Sequence, residues 1–454
     1  MNRRNNMKRI AIPLLLSLSL LLSGCQNTDT GSNGGDSAST GAESVAVIDT
    51  AALFSDRDLD GSYDESAAVH IQLEGETAVC DSDAVSIDGS RITLLDEGTY
   101  LVSGALTDGQ IVVDAGDTDK VQIVLAGASL TCADSAAIYS KSADKVFLTL
   151  AEGTENTLTN GGSYTAIDKN NIDSVVFSKT DLTLNGSGSL TIDAQAGHGV
   201  VSKDELTITG GNFTQPGESR YTVYNANTAT ISGGTFTAES TVVGSDYFAG
   251  GANTGELTIS KGTFTSENSG TAISMGDGAD LTLTGGTFQT RGDGSSYVIS
   301  LAETATAEIS GGSFPGAEAA RVVNNSDAFK DGYGVVKNPD GSLSVGVKDE
   351  SAEAVVIARD GSRTNYLTLS AAAKAAPAGS TVQLQKSLVL TSGISTVNYG
   401  VTIDLNGYDI DGTAVTSSDG AVALKTNYSS KPVDGVDSTM RLINSVSGQG
   451  GTIQ

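Results

Sequence analysis

Residues 205–213 read ELTITGGNF, and this pattern recurs four more times, as TATISGGTF (228–236), ELTISKGTF (256–264), DLTLTGGTF (280–288) and TAEISGGSF (306–314). In each unit a short strand alternates apolar and polar residues, a pair that contains glycine turns the chain, and a Phe follows. The five Phe residues are separated by 23, 28, 24 and 26 positions. This period is typical of repeats that bury their apolar faces only by stacking on one another.

The repeat predicts an all-β protein in which residues 46–330 form a right-handed parallel β-helix, or β-solenoid. Units stacked at the strand separation of ~4.8 Å would place like residues in ladders, and the five Phe side chains would form one ladder inside the tube. A longer step between Leu150 and Leu184 locates an extra loop at 160–172, which we expect to project. A β-sandwich of hairpins is the alternative, but its turns would favour Asn-Gly or Asp-Gly pairs.

The first 24 residues have the organisation of a lipoprotein signal peptide. Four basic residues between positions 3 and 9 precede an apolar run at 10–22, which is too short to cross a bilayer. Small residues before Cys25 resemble a lipobox, so we predict that Cys25 is lipidated and anchors the protein to the outer face of the cell membrane. Residues 25–45, rich in Gly, Ser, Thr and Asp, are predicted to form a flexible tether. An ordinary secretory peptide is the alternative.

The acidic composition restricts the class of partner. A formal net charge of -28 argues against nucleic acid and anionic lipid and favours cations. We therefore expect a monomer that touches the membrane only through its lipid anchor. Cys80 and Cys132 remain after the lipidated cysteine, and they form either a disulfide or two separate buried thiols.

The composition changes near the C-terminal end of the repeats. Residues 331–352, rich in Gly, Lys and Asp, are predicted to be a linker. Residues 366–376 predict a short helix that Pro377 and Gly379 end, and alternating strands follow it. We interpret 353–454 as the start of a second β-helix module with a capping helix, and the strand pattern at Gln454 predicts that this module is incomplete.

Residues 52–210 resemble the family of carbohydrate-binding domain-containing proteins, in turns as well as in strands. The segments that carry the resemblance are LFSDRDLDGSYDES (53–66), EGTYLVSGALTDGQIVVDAGDTDKVQIVLAGASL (97–130), AAIYSKSADKVFLTLAEGTENTL (136–158) and VVFSKTDLTLNGSGSLTI (175–192). The family comprises cellulose- and pectin-binding bacterial surface lipoproteins with a parallel β-helix fold like that of polysaccharide lyases. The resemblance implies glycan binding and structural calcium, in a group without demonstrated lyase activity. From residue 214 onward the sequence departs from the family's pattern.

Acidic residues near the extra loop indicate a metal site. Aligning the short strands at Ile138 and Phe177 places Asp134 and Asp173 at one corner of adjacent units, where the two carboxylates would repel each other. A calcium ion accepts several oxygen ligands and would relieve this repulsion. A solvated acidic ladder is the alternative. The hypothesis is a calcium site formed by Asp134, Asp168, Asn171 and Asp173.

Residues 56–61 (DRDLDG) resemble the opening of an EF-hand calcium loop. Position twelve of such a loop carries a bidentate Glu, and here that position is Ala67. We therefore favour a turn that leads into an N-terminal cap over a second metal site.

Glycan-binding modules stack sugar rings on aromatic side chains. The chain has no Trp, so repetition along the polymer would have to supply much of the affinity. Lys141 and Lys179 recur in Ser-Lys pairs, as does Lys203, and would either contact acidic sugars or pair with neighbouring carboxylates. The tyrosines that we take to be exposed and able to bind sugar are Tyr139, Tyr164, Tyr221 and Tyr224.

Three functions are compatible with this pattern. The first is binding of polysaccharide, acidic or cellulosic, without catalysis; the second is a polysaccharide lyase or hydrolase; the third is an adhesin or structural spacer. The chain has two His residues and no nucleophile elbow, zinc spacing or phosphate loop, so we assign no catalytic residue. A lyase would need a base such as Arg220 beside Asp173, and the sequence does not establish that proximity.

Overall fold

A computed structural model describes residues 53–454 except 166–167, 170–171, 218, 226, 246–254, 293, 339, 417–422, 428–432 and 447–450. The predicted signal peptide, Cys25 and the tether lie outside the described residues. Within the described ranges, no helix is long and apolar enough to cross a membrane.

The described chain is all-β, as predicted, and much of its pairing is parallel. In these ranges the helices are α1 (Asp56–Leu59) and α2 (Leu369–Ala375), with 3-10 turns at Ala319–Arg321, Ser326–Ala328 and Asp349–Ser351. The strands of the repeat region are β1 (Val69–Gly75), β2 (Ala78–Val79), β3 (Val85–Asp88), β4 (Arg91–Leu94), β5 (Gly98–Leu106), β6 (Gln110–Asp114), β7 (Lys120–Cys132), β8 (Ile138–Ser142), β9 (Lys145–Leu150), β10 (Glu155–Asn160), β11 (Ser174–Ser178), β12 (Asp181–Gly186), β13 (Ser189–Asp193), β14 (His198–Ser202), β15 (Glu205–Ile208), β16 (Asn212–Gln215), β17 (Tyr221–Asn225), β18 (Thr228–Ile231), β19 (Thr235–Ala238), β20 (Thr241–Ser245), β21 (Glu256–Ile259), β22 (Thr263–Ser266), β23 (Ile273–Met275), β24 (Asp280–Leu283), β25 (Thr287–Thr290), β26 (Ile299–Leu301), β27 (Thr306–Ile309) and β28 (Ser313–Phe314). The strands that follow are β29 (Tyr333–Lys337), β30 (Leu343–Val347), β31 (Ala354–Ile357), β32 (Arg363–Tyr366), β33 (Thr381–Leu384), β34 (Leu388–Val389), β35 (Ile394–Thr396), β36 (Thr402–Asp404), β37 (Ile410–Asp411), β38 (Leu424–Thr426) and β39 (Arg441–Ile443).

Strands of the repeats pair in parallel with the equivalent strands of the next unit. In the larger sheet, which has twenty strands among the described residues, Phe213 lies opposite Phe236 and Phe236 opposite Phe264. The phenyl rings continue through Phe288 to Phe314, with neighbouring centroids 4.9, 5.1, 4.9 and 5.5 Å apart. All five rings are buried. The predicted Phe ladder is therefore confirmed, and each stacked pair adds about 0.5–1.5 kcal/mol beyond its area burial.

The glycine that stands two positions before the Phe is required by the geometry of the turn. Gly211 has a φ of 99°, a left-handed conformation that favours glycine. A β-carbon at Gly211 would also come within 2.7 Å of the Phe213 ring. Gly312 repeats both features, with a φ of 114° and a β-carbon position 3.1 Å from Phe314. The Gly-Gly turn and the Phe that follows it thus form one packing unit.

An aliphatic ladder, as expected for like residues in stacked units, runs from Leu184 through Ile208, Ile231, Ile259, Leu283 and Ile309. Below it, Leu148 rather than Leu150 lies opposite Leu184. The extra loop lies in this interval, so counting residues across it gave the wrong partner. A shift of two residues keeps the side chain on the same face of the strand, and both leucines are buried.

The smaller parallel sheet, with ten strands in the described part of the chain, corrects the alignment behind the calcium hypothesis. Phe177 lies opposite Tyr139, and Val176 lies opposite Ile138. Pairing Ile138 with Phe177 was therefore wrong by one residue, which moves a side chain to the opposite face of the sheet. By the observed offset, Asp134 corresponds to Ile172 and not to Asp173. The two carboxylates are not stacked partners.

The N-terminal segment, residues 55–68, lies across the larger sheet. The backbone carbonyl of Asp58 accepts a hydrogen bond of 2.6 Å from the Thr209 hydroxyl, and the Arg57 guanidinium lies 4.5 Å from the centroid of the Phe147 ring. Tyr63 packs against a small buried cluster on β5 and β7. The Asp58 side chain is engaged by protein donors. These contacts support the turn interpretation of residues 56–61 over the EF-hand one.

The stretch predicted as a linker, 331–352, contains an antiparallel hairpin of β29 and β30. Leu343 of this hairpin lies opposite Phe314 of β28, so β30 continues the larger sheet. Leu343 and Val345 belong to the main buried cluster. A separate buried cluster spans Ala354 to Val415 and includes residues of α2, whose first turn is capped by the Thr368 hydroxyl. The boundaries proposed for the domains stay predictions.

Cys80 and Cys132 are free thiols, and Cys132 is buried. Burial raises the pKa of both thiols above the ordinary value. Of the two alternatives, the structure has the separate thiols.

Candidate functional site

Side chains on the two faces of the ten-stranded sheet belong to different buried clusters. Val176, Val200 and Val223 point into the main cluster. Their strand neighbours point the other way, because successive side chains alternate across a strand. We call this second group the outer cluster; it consists of Val112, Ala136, Tyr139, Ile172, Phe177, Val201 and Tyr224.

The extra loop covers the outer cluster. Ile172 is buried within it, and Tyr164 packs against it. The Tyr139 hydroxyl donates a hydrogen bond of 2.5 Å to Asp168 Oδ2. The described residues of the loop therefore lie back on the sheet and do not project as we expected. Removing the apolar side chains from water favours this arrangement by roughly 25 cal/mol for each Å² buried.

Two of the four tyrosines predicted to be exposed are buried. Tyr139 is 0% exposed and Tyr224 is 1% exposed, so the prediction of exposure was wrong for both. Tyr164 and Tyr221 are half-buried at the edge of the outer cluster. The strand pattern is local, and Tyr139 and Tyr224 do lie on the face opposite the main cluster. It could not show that a loop distant in sequence covers this face.

Tyr164 is held by hydrogen bonds at its hydroxyl. The Asn160 side-chain amide donates to that hydroxyl, which in turn donates to the Ala196 carbonyl at 2.5 Å. Burial raises the pKa of Tyr164 far above its usual value, so the phenol stays neutral. Its role in the structure is to fix the extra loop to the turn before β14.

Three rings lie nearly parallel on the outer side of the ten-stranded sheet, and we call them the ring face: His198, Tyr221 and Tyr224. The His198 ring centroid is 4.4 Å from that of Tyr224 and 5.5 Å from that of Tyr221. The angles between ring planes are 19° and 9°. A β-carbon at Gly244 would come 2.3 Å from the Tyr221 ring, so this ring lies against the backbone of β20. Tyr221 is the partly exposed member of the ring face.

His198 is held in its neutral form. Burial lowers the pKa of His198 to about 3, and the positive charges of Arg220 and Lys203 act in the same direction. Its Nδ1 atom is buried without a hydrogen-bond partner. Our sequence reasoning passed over His198 because it stands in a glycine turn. In the structure His198 lies opposite Ser174 of β11, which is also buried.

Basic side chains border the ring face. The Lys203 ammonium lies 5.7 Å from the centroid of the Phe177 ring and 5.9 Å from that of Tyr224. Burial raises the pKa of Asp173, and the charges of Lys203 and Arg220 oppose this shift. Asp173, Lys203 and Arg220 therefore share one electrostatic environment, which the sequence did not establish.

The lysines of the Ser-Lys pairs follow one another in register. Ser140, Ser178 and Ser202 are partners across adjacent strands, so the lysine after each of them occupies the same edge. Lys141 forms an ion pair of 2.5 Å with Asp114. Such half-exposed pairs contribute about 0–1 kcal/mol to stability. Lys179 is half-buried, and Lys203 is the exposed member of this row.

The described residues alone do not complete the predicted calcium site. Among them, no three His, Cys, Asp or Glu side chains are grouped so as to hold a metal ion. Asp134 is exposed, Asp168 accepts the Tyr139 hydroxyl, and Asn171 lies outside the described residues. One observation fits a cation: Asp173 Oδ1 is buried without a hydrogen-bond partner.

Residues 88–420 match the family model of carbohydrate-binding domain-containing proteins. A carbohydrate-binding domain-containing protein of Acetivibrio thermocellus is 38% identical over 134 residues, which are 29% of this chain and 47% of the relative. The chain thus spans about half the length of the curated relative that it matches. A solved structure, described as a polysaccharide lyase-like protein from C. thermocellum in a gadolinium derivative, is 26% identical, with a TM-score of 0.41, over 58% of this chain and 98% of that chain.

Proposed function

This chain belongs to the family of carbohydrate-binding domain-containing proteins, and from that premise we propose that it binds polysaccharide without cleaving it. The proposed fold of the repeat region is a right-handed parallel β-helix. The parallel register of successive units and the stacked Phe rings support it. The proposed setting is the cell surface, with the chain held by a lipid on Cys25.

The observation that carries the proposal is the ring face with its basic border. A pyranose ring presents apolar C–H groups that pack against aromatic side chains, and Tyr221, whose ring lies between His198 and the backbone of β20, offers the part of its ring that stays exposed. The rings of His198 and Tyr224 lie nearly parallel to the Tyr221 ring and fix its orientation. Preorganisation of this kind reduces the entropy lost on binding.

Charges beside the ring face favour an acidic polymer. Lys203 and Arg220 are exposed, and a guanidinium or ammonium group binds a sugar carboxylate through charge-assisted hydrogen bonds. These two positive charges stand out in a chain whose net charge is -28. Weak contacts to successive sugars of one polymer would combine through multivalency.

The test is retention of the full chain by immobilised polygalacturonate in affinity electrophoresis. Tyr221→Ala should lose most of the retention, because the variant lacks the platform. Tyr297→Ala is the matched control, since Tyr297 is also half-buried but lies outside the ring face, with the Arg321 guanidinium 5.2 Å from the centroid of its ring. Equal retention of the wild type and Tyr221→Ala would refute the assignment of the ring face.

Calcium remains part of the proposal, with a reduced ligand set. We propose that Asp168, Asn171 and Asp173 contribute oxygen atoms, and we leave out Asp134 because it corresponds to Ile172 in register. The unpartnered Asp173 Oδ1 supports this assignment. Calorimetric titration of calcium into wild type and Asp173→Asn tests it, and identical isotherms would remove the site.

A polysaccharide lyase is the second candidate, because Lys203 and Arg220 lie near Asp173. Such an enzyme removes the proton next to a uronate carboxylate and expels the adjoining glycosidic oxygen, which leaves a carbon–carbon double bond. We expect no increase in ultraviolet absorbance when the calcium-loaded full chain is incubated with polygalacturonate. A steady increase that Arg220→Ala abolishes would replace binding by cleavage as the function.

The lipid anchor has its own test. Cells that express the full chain and are fed a labelled fatty acid should incorporate the label into the protein, and Cys25→Ala should prevent incorporation. Cys80→Ala, which changes another cysteine, is the control. Equal labelling of the Cys25→Ala variant would contradict anchoring at this residue.

A further inference from the structure

A cleft of about 220 Å³ lies where the turns before β4, β6 and β8 adjoin one another. The side chains of Arg91, Asp108, Asp134 and Ser135 line it. None of these four belongs to the ring face or to its basic border. The cleft is smaller than the roughly 300–1,000 Å³ of typical small-molecule pockets, so it suits a single small polar ring.

Backbone hydrogen bonds make the walls of the cleft rigid. The Gln110 N–H donates to the Ser90 carbonyl at 3.0 Å, and the Gln110 side-chain amide donates to the Ala136 carbonyl at 2.6 Å. The Ala133 N–H donates to Asp108 Oδ1 at 2.9 Å. A β-carbon at Gly109 would come 2.3 Å from the Ser90 carbonyl oxygen, so the turns are in close contact. The site is therefore built before any ligand binds.

The lining of the cleft includes a hydroxyl without a hydrogen-bond partner. Ser135 is 4% exposed, and its Oγ atom has no hydrogen-bond partner. Buried hydroxyls in proteins nearly always have a partner. In the same lining, the side chains of Asp108, Asp134 and Arg91 are exposed. Hydrogen-bond acceptors, donors and one group that can do both therefore converge on a small volume.

We propose that this cleft is a subsite for one neutral sugar unit, whose neighbouring hydroxyls donate to Asp108 and Asp134 and accept from Arg91. Ser135 forms a further hydrogen bond with the same unit. The cleft has two carboxylates and one guanidinium, so its net charge is negative. A uronate is therefore disfavoured here, because the sugar carboxylate would be repelled. The inference rests on the proposed polysaccharide binding, and it assigns a different place and a different sugar class from the ring face.

The experiment compares two oligosaccharides on the full chain, in buffer that contains a chelator. The probes are cellohexaose, which is neutral, and hexagalacturonate, which is acidic, and calorimetry measures both affinities. The double variant Asp108→Asn/Asp134→Asn should bind cellohexaose about tenfold or more weakly, since each lost charge-assisted bond is worth roughly that factor. Its affinity for hexagalacturonate should not fall. Asn keeps the oxygen that accepts the Ala133 N–H, so the fold is expected to be retained.

Two controls separate this inference from the function on which it rests. Asp83→Asn removes an exposed carboxylate outside the cleft lining and should leave cellohexaose binding unchanged. Tyr221→Ala should weaken hexagalacturonate binding and leave cellohexaose binding largely intact. Unchanged cellohexaose affinity in the double variant would overturn the subsite while the proposed function stands. Wild type that binds neither sugar would overturn both. Calcium binding that is seen in wild type without the chelator and lost in the double variant would make the cleft a cation site instead.

Discussion

The Asp58 carboxylate lies 2.7 Å from the Lys145 ammonium, although the two residues are 87 positions apart in the sequence. Asp58 is 3% exposed, and the Thr183 hydroxyl donates to the same carboxylate oxygen at 2.6 Å. The Ser55 hydroxyl donates to the other oxygen at 2.7 Å. This one side chain therefore joins the N-terminal segment to two neighbouring strands, β9 and β12, of the larger sheet.

The first prediction concerns the removal of this carboxylate. Asp58→Ala should lower the free energy of unfolding by about 3–5 kcal/mol, because it leaves the Lys145 charge partly buried without its partner. Urea unfolding followed by circular dichroism measures the change. Asp56→Ala, which removes an exposed acidic residue of the same helix, should have an effect below about 0.5 kcal/mol. Equal stability of the two variants would mean that the segment is not held by the ion pair.

The second prediction is a dependence of stability on acid. Burial raises the pKa of Asp58, but hydrogen bonds from Lys145, Thr183 and Ser55 outweigh burial and lower the pKa to about 2. A folded-state pKa below the unfolded value stabilises the fold above pH ~4, and this contribution is lost as the pH falls from about 4 to 2. The loss should amount to about 2 kcal/mol. Unfolding curves at pH 7, 4, 3 and 2 should show it in wild type and not in Asp58→Asn.

The third prediction concerns the Phe ladder. Phe264 has stacked rings on both sides, with centroids 5.1 and 4.9 Å away, and is fully buried. Phe264→Ala should destabilise the fold by about 3–5 kcal/mol, because it leaves a cavity and removes two stacking contacts. Thr263→Ala, at a half-buried position of the same strand, is the control. A loss below 1 kcal/mol in thermal or urea unfolding would contradict a continuous packed ladder.

The fourth prediction uses the close approach of Tyr221 to Gly244. The backbone conformation of Gly244 would accept a side chain. The obstacle to Gly244→Ala is therefore the Tyr221 ring, which would lie 2.3 Å from the new β-carbon. The variant should displace the ring and weaken retention by polygalacturonate about as much as Tyr221→Ala does. In the double variant Gly244→Ala/Tyr221→Ala, stability should recover while retention stays low. Full retention by Gly244→Ala would show that the position of the ring is irrelevant to binding.

Local patterns predicted a large part of the fold. The spacing of Phe213, Phe236 and Phe264 predicted which residues become partners in the larger sheet, because the repeat length and the alternation of side chains are local properties. The short helix α2 also falls within its predicted stretch, 366–376. These features depend on periodicity and turn residues, which can be read within one or two units.

Across the extra loop the same reasoning failed. Counting residues there paired Ile138 with Phe177, whereas Val176 is the partner, and this one-residue error placed Asp134 and Asp173 together. The loop length does not specify how many residues the loop uses before the strand resumes. Only backbone hydrogen bonds between units determine that number, and they form between residues far apart in the sequence.

The sequence by itself determined the repeating strands, their glycine turns and the ladders inside the larger sheet, because side-chain alternation and backbone preference act over a few residues. Only the tertiary structure decided that the extra loop covers Tyr139 and Tyr224, that Tyr221 stays partly exposed, and that Asp58 reaches Lys145. Each of these outcomes depends on which surface a non-repeating segment covers. That choice is made by packing and charge between distant parts of the chain, and no local pattern records it.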